Sequence, residues 1–228
     1  MKPNLSKIRI ISFTRKTTAL GFPYRLGNTV ILCADCIKDL GVYFDSKLYF
    51  HQHVIYLFLH ALKLLGLIRT ITFSFSTLDR LMTLYSALIR SKLEYASVVW
   101  NSVTNTDSNK LERIQREFAA LCHIRFFHDT EYHYINMLDM LNLRSLHTRR
   151  RHIDALFLIC VFKGDKNCPS VLETVGIRAP SRNIHNFSLF CCSSSHCPSA
   201  RCVSAANLVC NSLDIFSNSN ISLKNLTI

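Results

Sequence analysis

Residues 36–100 read CIKDLGVYFDSKLYFHQHVIYLFLHALKLLGLIRTITFSFSTLDRLMTLYSALIRSKLEYASVVW, and their pattern decides the fold class. The stretch opens with a short strand, Ile37 to Phe44, in which alternation places Leu40, Val42 and Phe44 on one face. Gly41 within it lets another backbone come close. Two helical patterns follow. Val54, Leu57, Phe58, Ala61, Leu65 and Ile68 recur three and four residues apart, as do Leu78, Leu81, Met82, Tyr85, Leu88, Ile89 and Leu93. Stripes of this length bury each other, so the stretch predicts a helical hairpin anchored to a strand.

Upstream, Ile8, Ile10 and, after a one-residue slip, Phe13 alternate as in a half-buried strand. Tyr24 to Leu26 and Thr29 to Leu32 predict a strand pair turned by Gly27-Asn28. Downstream, the cluster Thr104 to Asn109 caps a third helix, Lys110 to Cys122. Leu111, Ile114, Phe118 and Leu121 line one face of it, and Glu112, Arg113, Gln115, Arg116 and Glu117 lie opposite. A hinge rich in aromatics and histidines, His123 to Tyr134, comes next. Shorter helical patterns cover Tyr134 to Leu141, Ser145 to Phe162 and Ala200 to Leu213, whereas Ser217 to Ile228 has no periodic apolar face. The expected class is α+β, mostly α: a small antiparallel β-hairpin or sheet, then a helical bundle and further helices.

The 228 residues are 49% apolar, enough for a core, and 27 lysines and arginines against 15 acids give a net charge of +12. That excess favours a polyanionic partner, nucleic acid first and an acidic membrane surface second. The most apolar window, Val54 to Ile71, is interrupted by His60, Lys63 and Arg69. A lysine near a bilayer centre costs roughly 2.5 to 3.5 kcal/mol on insertion scales, so no membrane partner is expected. Met1 to Thr18 lacks an uninterrupted apolar core, and ten cysteines without a secretory signal read as free thiols in a reducing, intracellular compartment, nucleus or cytoplasm.

The runs IKDLGVYFDSKLYFHQHV (37–54), LYSALIRSKLEYASVVW (84–100) and LERIQREF (111–118) together resemble the segment after the polymerase palm in reverse transcriptases of jockey-like, LINE-type non-LTR retrotransposons. The phrase IRAPSRN (177–183) resembles a stretch downstream of the thumb in the same family, and the likeness runs from about Asn4 to about Leu213. It implies residues 1–45 as the end of the palm, 46–125 as a helical thumb, 126–215 as a C-terminal helical region and 216–228 as a tail. Asn4-Leu5-Ser6-Lys7 resembles the motif after the catalytic aspartates, with Lys7 as the lysine beside the incoming nucleotide, although Ile8 replaces the usual threonine or cysteine. Asp39-Leu40-Gly41 resembles the primer grip, with Leu40 and Gly41 at the close backbone approach; a strand glycine needed only for packing is the competing reading.

Polymerases of this class hold two divalent metals, Mg2+ in the parent family, on palm aspartates, including an adjacent Asp-Asp pair. No Asp-Asp occurs in this sequence, and Cys33-Ala34-Asp35-Cys36 lies on the wrong side of Lys7 and lacks the second carboxylate. The expectation is a 5′-truncated reading frame without catalytic residues, needing no cofactor and inactive alone, that retains sequence-nonspecific binding of an RNA or DNA template-primer duplex. Lys63 and Arg69 on the thumb, with Arg149, Arg150 and Arg151, are the candidate phosphate contacts. The arginine run reads equally as a solvated helix start in which Asp154 pairs with one of them. Tyr95 and Trp100 read as core residues among apolar neighbours. Cys33 and Cys36, and the later cluster Cys191, Cys192, His196, Cys197, Cys202 and Cys210, are zinc-ligand types without a reproduced knuckle spacing, weighed against buried or incidental thiols. No glycine-rich phosphate loop, GxSxG or HExxH occurs. The alternative function is a helical protein-interaction module, self-associating through an exposed palm face, or a non-functional relic.

Overall fold

A computed structural model describes residues 8–14, 22–73, 77–128, 131–178, 188–192 and 200–212, with side chains in the last helix described as far as Leu208. Helices dominate, and the strands form three separate antiparallel pairs. The chain divides into two compact units, Met1–Leu141 and Asn142–Ile228.

The first unit begins with two small hairpins. β1 (Arg25–Leu26) and β2 (Thr29–Val30) pair across Gly27-Asn28, as that dipeptide predicts, with Gly27 at φ +61°. β3 (Cys36–Asp39) and β4 (Val42–Asp45) form the second. The single strand expected from Ile37 to Phe44 is therefore two strands. Leu40 and Gly41 turn the chain at φ +43° and +86°, which takes Leu40 off the face that holds Val42. No three-stranded sheet forms among the described residues. Ile10 makes only an isolated parallel bridge to Cys33, through Ile10 N–H to Leu32 C=O at 3.1 Å and Ala34 N–H to Ile10 C=O at 2.8 Å.

One carboxylate organises the passage from strand to helix. Asp45 accepts backbone N–H bonds from Lys47 (3.1 Å), Tyr49 (3.0 Å) and Phe50 (2.6 Å). These bonds satisfy a loop in which Leu48 and Phe50 both stand at positive φ. α1 (His51–Ile71) then buries Val54, Leu57, Ala61, Leu65 and Ile68, the predicted stripe apart from the part-exposed Phe58. By length and composition α1 is apolar enough to cross a membrane, but here that stripe packs on α5 (Asn105–Phe126), β4 and the second helical run.

The second run is continuous but not uniform: α2 (Leu78–Leu84), a π-helical segment (Tyr85–Arg90) and α3 (Ser91–Glu94). Its buried residues are Leu81, Tyr85, Ile89 and Leu93, each four apart. At 3.6 residues per turn, twelve residues at that spacing drift by about a third of a turn; the wider π turn absorbs the drift and keeps all four on one side. Ala96 at φ +52° breaks the run before α4 (Ser97–Trp100).

α5 starts within the turn cluster that was expected to precede it. Thr104 caps it, its hydroxyl accepting the Asp107 N–H at 3.2 Å, and the helix continues past Cys122 into the expected hinge, as far as Phe126. Leu111, Ile114, Phe118 and Leu121 are buried as read. Glu112 and Gln115, placed on the solvent face by periodicity, are also buried, because α6 (Tyr134–Met140) covers them. There Tyr85 Oη donates to Gln115 (3.1 Å), Gln115 Nε2 to Tyr134 Oη (3.3 Å), and Tyr134 to Glu112. The Tyr85 ring also stacks on Phe118, centroids 3.9 Å apart.

The second unit packs α7 (Leu146–Phe162) against α9 (Ala200–Ser212), with α8 (Pro169–Thr174) and the pair β5 (Val175–Ile177) and β6 (Phe190–Cys192). Ser145 caps α7 by accepting the Thr148 N–H at 3.2 Å. The Asn207 amide bonds both backbone groups of Phe190, accepting from N–H at 2.8 Å and donating to C=O at 2.9 Å, so α9 closes the free edge of β6.

Candidate nucleic-acid interface

The β3–β4 turn is the best-formed of the features singled out by sequence. A two-residue turn with both residues at positive φ matches the twist of its flanking strands. Gly41 adopts that conformation without steric cost, and a Cβ there would meet the Tyr95 ring at 3.6 Å, an ordinary contact. Its requirement is conformational, not a lack of space. Leu40 carries a Cβ into the same region, and its side chain is 83% exposed. Tyr95 Oη donates to the Leu40 carbonyl at 3.1 Å, which ties the tip to the joint between α3 and α4. Tyr95, read as core, is instead an exposed ring acting as a strut. Trp100 is buried as read, with its indole N–H on the Tyr95 carbonyl at 2.8 Å.

Beneath the hairpin lies His53, which is 1% exposed. Its Nδ1 accepts the Tyr43 N–H at 3.4 Å, and its ring stands edge-on to Trp100 at 5.3 Å. Burial, reinforced by the Lys38 charge, pulls its pKa down to about 4. The imidazole is therefore neutral at pH 7 with its proton on Nε2. On the outer side, Lys38 Nζ lies 5.0 Å from the Tyr43 centroid and 4.7 Å from that of Tyr56, a cation held over two ring faces.

Lys63 and Arg69 are both exposed on α1. Arg69 stands in the last turn, where the helix dipole favours a cation, and its carbonyl accepts from Arg125 Nη2 at 2.8 Å. Arg125 Nη1 reaches the carbonyl and hydroxyl of Thr72, both at 2.8 Å, so one guanidinium closes the end of α1 from α5. Lys63 has different company: Leu59 and Leu67, four residues to either side, are each about half exposed.

In the second unit the three consecutive arginines separate. Arg149 and Arg151 are partly exposed, whereas Arg150 is 0% exposed, on the buried face one turn before Asp154. Its guanidinium is closed off from solvent and so from any phosphate. The Asp154 carboxylate accepts from Arg201 Nε at 3.0 Å, a partner on α9. Arg144 and His152, 3.4 Å apart, add to the basic surface at the start of α7, whose first turn holds no acid. Lys7 lies outside the described residues, as do His196 and Cys197.

Among the described residues no three His, Cys, Asp or Glu side chains converge as metal ligands do. Sequence reasoning missed Tyr95, His53 and the chain Tyr85, Gln115, Tyr134, Glu112. Nothing local marks Tyr95, whose partner is 55 residues away. Comparison with known protein families, with curated proteins and with solved structures finds no match to this chain.

Proposed function

We propose that the chain is the part of a non-LTR retrotransposon reverse transcriptase that follows the catalytic aspartates: the last palm strands, the helical thumb and the region after it. It holds a template-primer duplex without catalysing extension. The observation that carries this reading is the hairpin tip. A primer grip needs a backbone turn that comes close to a nucleotide chain and does not yield. Leu40 and Gly41 offer such a turn, facing outward and braced by Tyr95. The three ordered strings at 37–54, 84–100 and 111–118 and the net charge of +12 support the same reading.

Phosphates of RNA or DNA are contacted in the first unit by Arg69 and the tip and, independently, in the second unit by Arg149 and Arg151, interactions that carry no sequence information. Such a partner places the protein inside the cell, in nucleus or cytoplasm. Any Mg2+ belongs to the aspartates of a complete polymerase. The test is fluorescence anisotropy with labelled duplexes of unrelated sequence across a salt series. Log affinity falls linearly with log salt and equally for all sequences, and the combined variant R69E/R149E/R151E has a slope shallower by about 0.9 for each phosphate it no longer neutralises. No binding at low salt, or one strongly preferred sequence, refutes the proposal. Primer extension by the chain with magnesium overturns the inactive reading.

A second reading, a protein-interaction module, is favoured by one observation. Phe22, Tyr24, Leu26, Val30 and Leu32 are all exposed on and beside the β1–β2 pair, a concentration of apolar surface on a sheet of two strands. Association that survives nuclease treatment distinguishes it from nucleic-acid binding.

A further inference from the structure

The outward face of α1 sets a cation between apolar side chains. Leu59, Lys63 and Leu67 follow one another at four-residue intervals, about 6 Å per step along the axis. All three are exposed, and α1 contains no Asp or Glu in its 21 residues. Beside them, a Cβ built on Gly66 meets nothing within 4 Å, so another backbone can approach closely there. A lone ammonium between two apolar side chains suits a lipid surface poorly. Helices that lie on membranes carry their lysines on the polar face, whereas here the cation is at the centre. The same arrangement suits a partner helix with a carboxylate one turn from an apolar side chain.

This chain has such a helix. On α6, Ile135 is 72% exposed, and Asp139, four residues later and so on the same side of the helix, is exposed too. Among the described residues neither Lys63 nor Asp139 joins an ion pair. Lys63 and Leu67, like Ile135 and Asp139, stand four residues apart on their helices, and the two charges are opposite in sign.

We propose that the α1 face of one copy docks on the α6 face of a second copy, with Lys63 opposite Asp139 and the Leu59 and Leu67 side chains packing about Ile135. A two-fold axis closes such an interface by forming it twice, since each copy supplies both faces. Two short helix faces fall below the roughly 800 Å² per partner of a standard interface, so the association is weak and concentration-dependent. The charge pair sets register and partner more than it adds affinity.

The test is sedimentation velocity of the full chain, freed of nucleic acid, at physiological salt. The weight-average mass rises toward twice that of the chain over a range of roughly 10 to 200 µM, as an undersized interface implies. Lys63→Glu and Asp139→Lys each weaken association about tenfold or more, and the double swap K63E/D139K restores it to within about threefold of the parent, because the pair is re-formed with its signs exchanged. Both sites are on the surface, so circular dichroism shows the same helix content for all four proteins. A chain that stays monomeric throughout, single variants that associate like the parent, or a double swap that fails to restore what both singles lose would each overturn the proposal. Persistence in the single variants would place self-association on another surface, such as the β1–β2 hairpin.

Discussion

His53 shows what one buried titratable side chain does to the pH response of the molecule. The folded state holds its pKa at about 4, against about 6.5 in an unfolded chain, so between these values the unfolded state binds the extra proton. Stability from this residue is complete above pH 6.5 and is lost as the pH falls towards 4, at up to about 1.4 kcal/mol per pH unit. Protonation also places a second N–H at Nδ1, where the Tyr43 N–H already donates, so that hydrogen bond between hairpin and helix is lost. Urea denaturation at several pH values should show stability rising from pH 4 to 6.5. His53→Gln, which keeps an acceptor but does not titrate, should flatten that rise; an unchanged slope would remove His53 from the account.

At the scale of elements, the β3–β4 hairpin carries a local conflict. Turns with both residues at positive φ favour Asn-Gly, yet the sequence supplies Leu40-Gly41, so a γ-branched side chain bears the left-handed conformation. Leu40→Asn should relieve about 1 kcal/mol of strain and raise the melting temperature by about 2 to 4 °C. If the tip grips a duplex through its backbone, the same substitution should leave nucleic-acid binding at least as strong while stabilising the fold, since the turn is kept and made firmer. The second helical run shows another kind of adjustment. Its four-residue spacing of Leu81, Tyr85, Ile89 and Leu93 was visible in sequence among other apolar positions, and only packing against α1 and Phe118 selected those four as the buried set.

For the molecule as a whole, the first unit depends on joints between distant segments. Asp107, buried near the start of α5, accepts from His51 Nδ1 at 2.9 Å and Lys110 Nζ at 3.1 Å, and so fastens the first turn of α1 to that of α5. Burial alone would push its carboxyl pKa up. The hydrogen bonds from His51 and Lys110 outweigh that and hold it below the usual carboxylate range. Its contribution is therefore present above about pH 4 and is lost as acid protonates it. Asp107→Asn should cost about 2 kcal/mol at pH 7, a drop of some 4 to 8 °C in melting temperature, and the deficit should shrink at low pH. A variant equally destabilised at pH 7 and pH 3 would argue against a charge-assisted joint.

The sequence by itself determined what repeats locally. The apolar stripes of α1 and α5, the Gly27-Asn28 turn and the Ser145 start of α7 follow from side-chain spacing and from the few residue types that fit a turn or cap. Tertiary structure decided which polar residues are inside. Glu112 and Gln115 sit on what periodicity marks as the solvent face, and α6, more than fifteen residues further on, covers it. Arg150 looks the same as Arg149 and Arg151 in a string of letters, and only the folded second unit shows that it is the one turned inward. The same holds for Tyr95 and the Leu40 carbonyl. Periodicity reports the face of an element, whereas burial depends on the neighbour that covers that face, and that neighbour is chosen by packing across the chain.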